Sequence, residues 1–231
     1  MFGFHLSELR IGAPCPFGPD GEPSAIDRRA AVTGAVRAGP MGLDGDAVGD
    51  TTNHGGPDKA IHAYPSDTLA AWADELPDRA SRFAPGAFGE NMVVAGVTEA
   101  EICLGDRWRL GGALLEVSQA RQPCWKLNRR FDVPDMARRV QMTGRTGWYF
   151  RVIEPGEVRA GAAAALIARP NPAWPLARIG EILYHDTMNL PALRALADLH
   201  ALPEGWRRLV TRRLARREVE DWSARLSGPG G

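Results

Sequence analysis

One cysteine stands where its neighbours could make it reactive. Cys124 follows Arg121 by three positions, and Lys126 comes two residues later. Nearby cations stabilise a thiolate, which is both a nucleophile and a soft metal ligand. The alternative is that Cys124 is a small buried apolar residue, the commoner role of an isolated cysteine. We assign Cys15 and Cys103 to that second role, so thiol chemistry centres on Cys124.

A glycine-rich turn supplies a second candidate, here for binding an anion. His54 is followed by Gly55 and Gly56, and Lys59 comes three residues after them. Glycines let backbone N–H groups approach a ligand closely, and successive N–H groups in such a turn can hold an anion that Lys59 would also meet. A turn stabilised by a polar side chain explains the same residues equally well. His62 alternates with apolar neighbours and is as well explained as a hydrogen-bonded strand histidine.

Two further segments place polar groups beside predicted strands. Glu90 and Asn91 lie between a glycine turn and an apolar run, although a charged residue at a strand entrance is usually solvated. Ser24 and Arg28 belong to a segment with a hydroxyl and two guanidinium groups. Guanidinium groups suit phosphate, although surface arginines more often face water.

The elements predicted around these residues bring strand ends close to the candidate groups. Alternation over 101–110 and 113–117, broken by two glycines, predicts a hairpin that ends shortly before Cys124. Catalytic groups are often found in loops that follow such strand ends. The patterns further predict a strand at 60–64, a helix at 67–76 capped by Ser66, a helix at 132–142 and a strand at 148–153.

A proline-rich stretch at 169–175 divides the chain into two regions of different character. Residues 1–170 are predicted to be rich in strands, whereas 171–231 are predicted to be helical. A helical region of this size is near the lower limit for folding alone, so we expect it to pack on the first region or on a partner chain. The predicted helices carry apolar stripes at 190–197, 206–214 and 219–226.

Six arginines of the helical region form a basic run between positions 207 and 217. A helix-turn-helix that grips DNA could be built this way. Glu218, Glu220 and Asp221 follow at once, however, and charge runs are usually solvated faces. We therefore expect no nucleic-acid partner.

Composition excludes several classes of protein. The 231 residues carry 28 Lys+Arg and 28 Asp+Glu, so the chain has no net field that would attract nucleic acid. No apolar run approaches the ~18 residues of a membrane helix, and no signal peptide is visible. Three cysteines are too few for a disulfide scaffold, so we expect reduced thiols and a cytoplasmic location. Motifs typical of zinc ribbons, zincins and P-loop NTPases are missing.

Taken in order, the motifs resemble the MOSC domain, the C-terminal domain of molybdenum cofactor sulfurases, and within that family the YiiM-type stand-alone proteins. The resemblance covers nearly the whole chain, and it is the ordered combination that is specific. The motifs that carry it are Ser24-Ala25-Ile26, Gly42-Leu43-Asp44-Gly45-Asp46, His54-Gly55-Gly56-Pro57-Asp58-Lys59-Ala60, Tyr64-Pro65, Phe88-Gly89-Glu90-Asn91, Gly105-Asp106 and Val117-Ser118-Gln119-Ala120-Arg121-Gln122-Pro123-Cys124.

The resemblance implies a mainly β fold, with a MOSC-type β-barrel and peripheral helices over 1–170 and a small three-helix domain over 171–231. It also implies a molybdopterin-type molybdenum cofactor whose metal is held by the cysteine matching Cys124, a catalytic residue on this interpretation. Glu90 and Asn91 are expected near the metal, where they would handle protons or orient the substrate. The residues expected to shape the cofactor pocket are Ser24, Arg28, His54, Gly55, Gly56, Lys59 and Arg121.

Two positions depart from the family pattern. Ala120 stands where proline is common before the arginine, and Arg28 stands where a lysine is frequent. Neither change removes the thiol or the positive charge, so they bear only on fine geometry.

The YiiM-type proteins protect against N-hydroxylated bases such as 6-hydroxylaminopurine. The resemblance therefore implies two-electron reduction of an N–O bond in a small-molecule substrate, with release of water and the amine. No flavin, nicotinamide or iron–sulfur motif is present, so a separate reductase is expected to donate the electrons.

An alternative from another class is a carrier protein. Cys124 would then hold a persulfide or hand on the cofactor without turnover. Pyridoxal phosphate, linked to the wider family through fused sulfurases, is not expected, because only Lys59 and Lys126 could form a Schiff base and nothing else supports it. Trp and Leu residues on short helices could close a dimer interface as readily as a core, and of the two we expect a homodimer.

Overall fold

The computed structural model describes residues 3–18, 21–50 and 54–228 of the chain. The strands in these residues are β1 (Gly3–Ile11), β2 (Cys15–Phe17), β3 (Glu22–Ser24), β4 (Ala30–Ala31), β5 (Val36–Gly39), β6 (Gly42–Leu43), β7 (Ile61–Pro65), β8 (Met92–Ala95), β9 (Arg107–Leu110), β10 (Ala113–Ala120), β11 (Trp148–Glu154), β12 (Gly156–Val158) and β13 (Ala163–Ala168). The helices are α1 (Ser66–Glu75), α2 (Lys126–Phe131), α3 (Met136–Thr143), α4 (Leu176–Tyr184), α5 (Leu190–Ala197), α6 (Glu204–Arg216) and α7 (Ser223–Ser227). Two 3-10 turns lie at Pro57–Lys59 and Pro77–Arg82.

Seven strands close into a barrel, as the resemblance implies. Hydrogen-bonded neighbours run in the order β13-β9-β10-β11-β7-β8-β1, and β1 pairs again with β13 to close the ring. β7 and β8 run parallel, whereas the other pairs in the ring are antiparallel. Closure of the ring leaves no unpaired barrel edge.

Side chains fill the interior of the barrel. Phe4, Trp108 and Phe150 are almost completely buried, and the ring centroids of Phe4 and Trp108 are 4.9 Å apart. β10 is buried along its whole length, with the barrel interior on one face and α4 packed beside it. Each fully buried apolar side chain contributes roughly 1.5–3 kcal/mol of transfer free energy. This packed barrel fixes the loops that follow β10 and precede β7.

A second apolar cluster lies outside the barrel, among α1, α2, α3 and the segment that enters β8. The rings of Tyr64 and Phe88 stack with centroids 4.2 Å apart, and those of Phe83 and Phe131 with centroids 4.5 Å apart. The Trp72 indole donates to the Tyr64 hydroxyl at 2.9 Å. These contacts hold the chain on either side of residues 89–91.

Helices α4 to α6 pack on the barrel and share its core. Ile179, Leu193 and Trp206 belong to the same buried cluster as the barrel interior. The proline-rich segment is bonded to the barrel as well, since the Leu104 N–H donates to the Trp174 carbonyl at 3.0 Å. The structure thus shows the first of the two packing alternatives, whereas the boundary at 170 stays a prediction.

Helix α7 packs mainly on the second apolar cluster and touches α4 where the Arg225 guanidinium lies 6.0 Å from the centroid of the Tyr184 ring. Its Leu226 belongs to the cluster outside the barrel, beside α2 and α3. Within the described ranges, no helix combines the length and the apolar character needed to span a membrane.

Several predicted elements differ from those observed. The helix predicted at 67–76 forms at Ser66–Glu75, but Pro65 is its N-cap and no side chain caps it. The helix predicted at 132–142 begins only at Met136, as α3, because Asp132 ends α2 with a left-handed φ of 55° and Pro134 has no N–H to continue a helix. The patterns did not predict α2. The apolar stripes of the helical region begin only at 190, so they locate no helix at 176–184, where α4 forms directly after the proline-rich segment.

Candidate functional site

A cleft with two connected compartments opens beside the loops that precede β7 and follow β10. The first compartment has a volume of about 380 Å³ and the second about 460 Å³. Residues of β3 and of the 46–50 loop line one side of the first compartment, whereas Ala224 and Arg225 of α7 line one side of the second. The residues that line both compartments are Asp50, His54, Lys59, Cys124, Lys126 and Tyr149.

Cys124 lies where the two compartments meet. It belongs to the loop between β10 and α2, and its half-buried thiol is not in a disulfide. The Arg121 N–H bonds the Gly147 carbonyl at 3.1 Å, and the Leu127 N–H bonds the Cys124 carbonyl at 3.0 Å. Among residues 3–18, 21–50 and 54–228, no group of three His, Cys, Asp or Glu side chains is placed to hold a metal ion. The predicted metal ligand is thus a single thiol.

Arg121 and His62 line the first compartment, and each has a buried side-chain nitrogen without a hydrogen-bond partner among the described residues. Arg121 is only 5 % exposed, and its Nη1 atom makes no hydrogen bond within the described residues, nor does Nε2 of His62. Burial, together with the charge of Arg121, holds the pKa of His62 well below its usual value, so the ring is neutral. An unpaired buried polar group costs about 1–3 kcal/mol. An anionic group in this compartment would pair with the Arg121 guanidinium, so the residue fits a pterin phosphate.

The predicted glycine turn forms part of the same wall. Gly55 and Gly56 have φ values of 82° and 84°, in the left-handed region that favours glycine. The space where a Gly56 Cβ would stand is open. Burial, followed by the charges of Arg121 and Lys59, lowers the pKa of His54 to about 4. Asn53, the first residue of this turn, lies outside the described residues.

The predicted pair Ser24 and Arg28 is only half placed at the cleft. Ser24 lines the first compartment, whereas the Arg28 side chain is 59 % exposed and donates to the Cys15 sulfur at 2.9 Å. The neighbouring Arg29 lines the compartment instead, donating to both carboxylate oxygens of Asp46 at 2.7 Å. The two arginine side chains point in different directions, so Arg29 lines the cleft where Arg28 was expected to do so.

Glu90 and Asn91 also separate. The Glu90 carboxylate is completely buried outside the lining of both compartments, where it accepts the N–H groups of Gly86 at 2.6 Å and Phe88 at 3.0 Å. Burial raises its pKa, although these N–H donors oppose the shift. Asn91 does line the first compartment, and its Oδ1 accepts the His62 N–H at 3.1 Å. Glu90 thus shapes the turn, and Asn91 supports the cavity wall.

Tyr149 lines both compartments but is absent from the residues proposed on sequence grounds. Its neighbours on β11, Trp148 and Phe150, are completely buried in the barrel core, so Tyr149 faces the other way. Burial raises its pKa, with the charge of Arg121 opposing the shift. Strand alternation over 148–153 was the available signal, since it places residue 149 opposite its two aromatic neighbours.

Two arginines of the basic run between positions 207 and 217 stabilise the fold. Arg207 donates to the Leu199 and Leu202 carbonyls at 2.8 and 3.1 Å, which closes the connection between α5 and α6. Arg213 is completely buried and bonds Glu220 through two nitrogens.

Comparison with known proteins agrees with this architecture. A family model for the MOSC domain matches residues 50–165, and a model for the YiiM-like 3-alpha helix domain matches residues 174–217. Protein YiiM of Escherichia coli is 38 % identical over 91 % of this chain and 93 % of its own length. The chain belongs to the MOSC domain family, in its YiiM-like group. MOSC domains are associated in general with binding of molybdenum cofactor.

The fold of this MOSC protein matches solved relatives over most of their length. The crystal structure of YiiM from Escherichia coli aligns with a TM-score of 0.80, at 34 % identity, covering 95 % of this chain and 100 % of that one. A fungal protein named "Reductase", from Gibberella moniliformis, is 35 % identical over 84 % of this chain, which spans 35 % of that protein. The second family match contains α4 to α6, so the three-helix prediction is confirmed, although with α4 rather than α7 as a member.

Proposed function

We propose that this MOSC protein is a molybdenum-cofactor-dependent reductase that converts N-hydroxylated bases of the hydroxylaminopurine type into amines. The observation that carries the proposal is the position of Cys124, a single thiol where two compartments meet. Membership of the MOSC family and the fungal relative named as a reductase support a reductase function.

The first compartment is suited to the pterin and its phosphate. The unpartnered Nη1 of Arg121 would donate to the phosphate, and the open face of Gly56 permits close approach. Lys59 adds positive charge at the boundary with the second compartment. Cys124 would bind the metal, and the bound cofactor supplies the two-electron redox chemistry that cleavage of an N–O bond requires.

The second compartment then takes the substrate, and its walls must supply protons. Reduction of a hydroxylamine consumes two electrons and two protons and yields the amine and water. Burial raises the pKa of Tyr149, so its hydroxyl stays protonated and can donate a proton to the departing oxygen. His54 and His62 are neutral near pH 7, and Glu90 lies outside the cavity lining. A separate reductase delivers the electrons.

The proposal is tested with protein purified from a host that makes the cofactor. With a reduced viologen dye as electron donor, the wild type should convert 6-hydroxylaminopurine into adenine. Cys124→Ser should abolish this conversion, whereas Cys103→Ser, a change at a buried cysteine remote from the cleft, should preserve it. Activity retained by Cys124→Ser would refute the role of the thiol.

Tyr149→Phe separates the proton-donor role from binding. We expect the rate to fall roughly 100-fold, within the usual range for loss of a general acid, while the molybdenum content is unchanged. If the wild type binds cofactor but reduces no N-hydroxylated compound with any donor, the carrier alternative replaces the reductase.

A further inference from the structure

One residue of the C-terminal segment is bonded to both neighbours of Cys124. The Arg225 guanidinium donates through Nη1 to the Pro123 carbonyl at 2.6 Å. The Arg225 backbone carbonyl accepts the Trp125 N–H at 2.7 Å. The peptide groups before and after Cys124 are therefore both bonded to Arg225.

Further contacts hold the same two segments together. The Asn128 side chain donates to the Leu226 carbonyl at 2.8 Å, and the Leu226 side chain is buried. Gly228 lies against the indole of Trp125, where an added Cβ would stand 3.0 Å from the ring. The segment 223–228 is thus fastened to the Cys124 loop at several points.

Arg225 is itself held in a defined orientation. Its Nη2 donates to Oε1 of Gln141, a buried residue of α3, while Nη1 holds the loop. A guanidinium fixed between two acceptors forms a rigid bridge. The Arg225 guanidinium thus links α3 to the Cys124 loop.

Arg225 also lines the second compartment, together with Ala224. It lies outside both segments matched by family models, which end at residues 165 and 217. The matches to the family models therefore assign no role to this residue of the cleft.

We infer that Arg225 is a positioning residue that clamps the Cys124 loop and thereby fixes the thiol at the junction of the two compartments. The inference goes beyond the proposed function, because the clamp acts on the loop whatever ligand occupies the cleft. Where the proposed reduction holds, the clamp keeps the Cys124 sulfur aligned with both compartments. Loops that carry reactive groups depend on such support from neighbouring residues.

The test measures loop mobility and catalysis in the full-length protein. Arg225→Ala, Arg225→Lys and a control, Arg216→Ala at an exposed position of α6, are compared with the wild type. Amide hydrogen exchange of a peptide spanning 122–128 reports on the loop, and a peptide from the barrel strand β7 reports on the whole fold. Molybdenum content, kcat and KM are measured on the same preparations.

Loss of a hydrogen bond made by a charged group predicts about tenfold faster exchange of the 122–128 peptide in Arg225→Ala. The β7 peptide and the Arg216→Ala protein should be unchanged. Arg225→Lys can still reach one of the two acceptors, so we expect partial rescue. For the reductase, kcat should fall about tenfold with the molybdenum content preserved.

Unchanged exchange of the 122–128 peptide in Arg225→Ala would overturn the clamp. Equal acceleration in the β7 peptide would also overturn it, because the effect would then be general destabilisation. If Arg225→Ala does not fold, Arg225→Lys carries the test, and unaltered exchange and kcat in that variant overturn the inference. Faster loop exchange in a protein whose wild type shows no turnover would support the clamp and refute the reductase.

Discussion

Replacing Arg121 by methionine is expected to stabilise the ligand-free fold while it weakens ligand binding. Arg121 is 5 % exposed, and its Nη1 has no protein partner within the described residues. Arg213 is a matched control, because it is also buried but its three nitrogens are all bonded. Two of them donate to Glu220, at 2.9 and 2.7 Å, and the third donates to the Leu183 carbonyl at 2.9 Å.

The two substitutions should change stability in opposite directions. Removing an unpaired buried donor recovers roughly 2 kcal/mol in Arg121→Met. Removing Arg213 leaves Glu220 without its counter-charge, a loss of about 3 kcal/mol. In a protein of this size 1 kcal/mol moves Tm by about 2–4 °C. We therefore expect Tm to rise by roughly 4–8 °C in Arg121→Met and to fall by roughly 6–12 °C in Arg213→Met.

The measurement is thermal unfolding of protein made in a host that lacks the cofactor. A second arm uses protein from a host that makes it, in which Arg121→Met should bind molybdenum at least ~10-fold more weakly, since a charged hydrogen bond contributes about 1.5–3 kcal/mol. If Arg121→Met lowers Tm as Arg213→Met does and keeps the wild-type molybdenum content, Arg121 belongs to the fold and does not face a ligand.

Two further perturbations test the charges around the cleft. Burial lowers the pKa of His54 to about 4 from 6.5. Between these two pH values His54 is protonated in the unfolded chain but neutral in the folded chain. The folded state therefore loses about 3 kcal/mol of stability as the pH falls from above 6.5 through this range. In unfolding curves across this range His54→Gln should reduce the loss and the exposed His200→Gln should not; identical curves for all three proteins would contradict the assignment. Asp46→Asn breaks the buried pair with Arg29 and should lower the free energy of unfolding by about 3 kcal/mol. Glu204→Gln, in an exposed pair, should change it by less than ~1 kcal/mol; similar losses in both would show that burial does not govern the pair.

The hairpin and the reactive loop were predictable because local pattern determines them. Strand alternation leads directly from β9 through β10 to the Cys124 loop. The glycine turn was predictable for a related reason, since left-handed φ values at Gly55 and Gly56 favour glycine.

Side-chain direction was less predictable, because tertiary contacts decide it. Arg28 and Arg29 have the same chemistry, and contacts with Asp46 and the Gly89 carbonyl hold Arg29 at the cavity wall. Glu90 carries a carboxylate, a group that often serves in catalysis, yet the N–H groups of its own turn hold it outside the cleft.

Contacts between distant parts of the chain left no local signal at all. Arg225 is 102 positions from Pro123, and no periodicity or motif connects the two. The role of α7 as a wall of the second compartment becomes visible only when the chain is folded.

The measurement that tests the account most directly is the molybdenum content of purified protein from a host able to make the cofactor. The wild type should contain molybdenum approaching one atom per chain, and Cys124→Ala should contain essentially none while its Tm stays close to the wild-type value, because the half-exposed thiol contributes little to the core. Equal molybdenum in Cys124→Ala and wild type would contradict the assignment of Cys124 as the metal ligand.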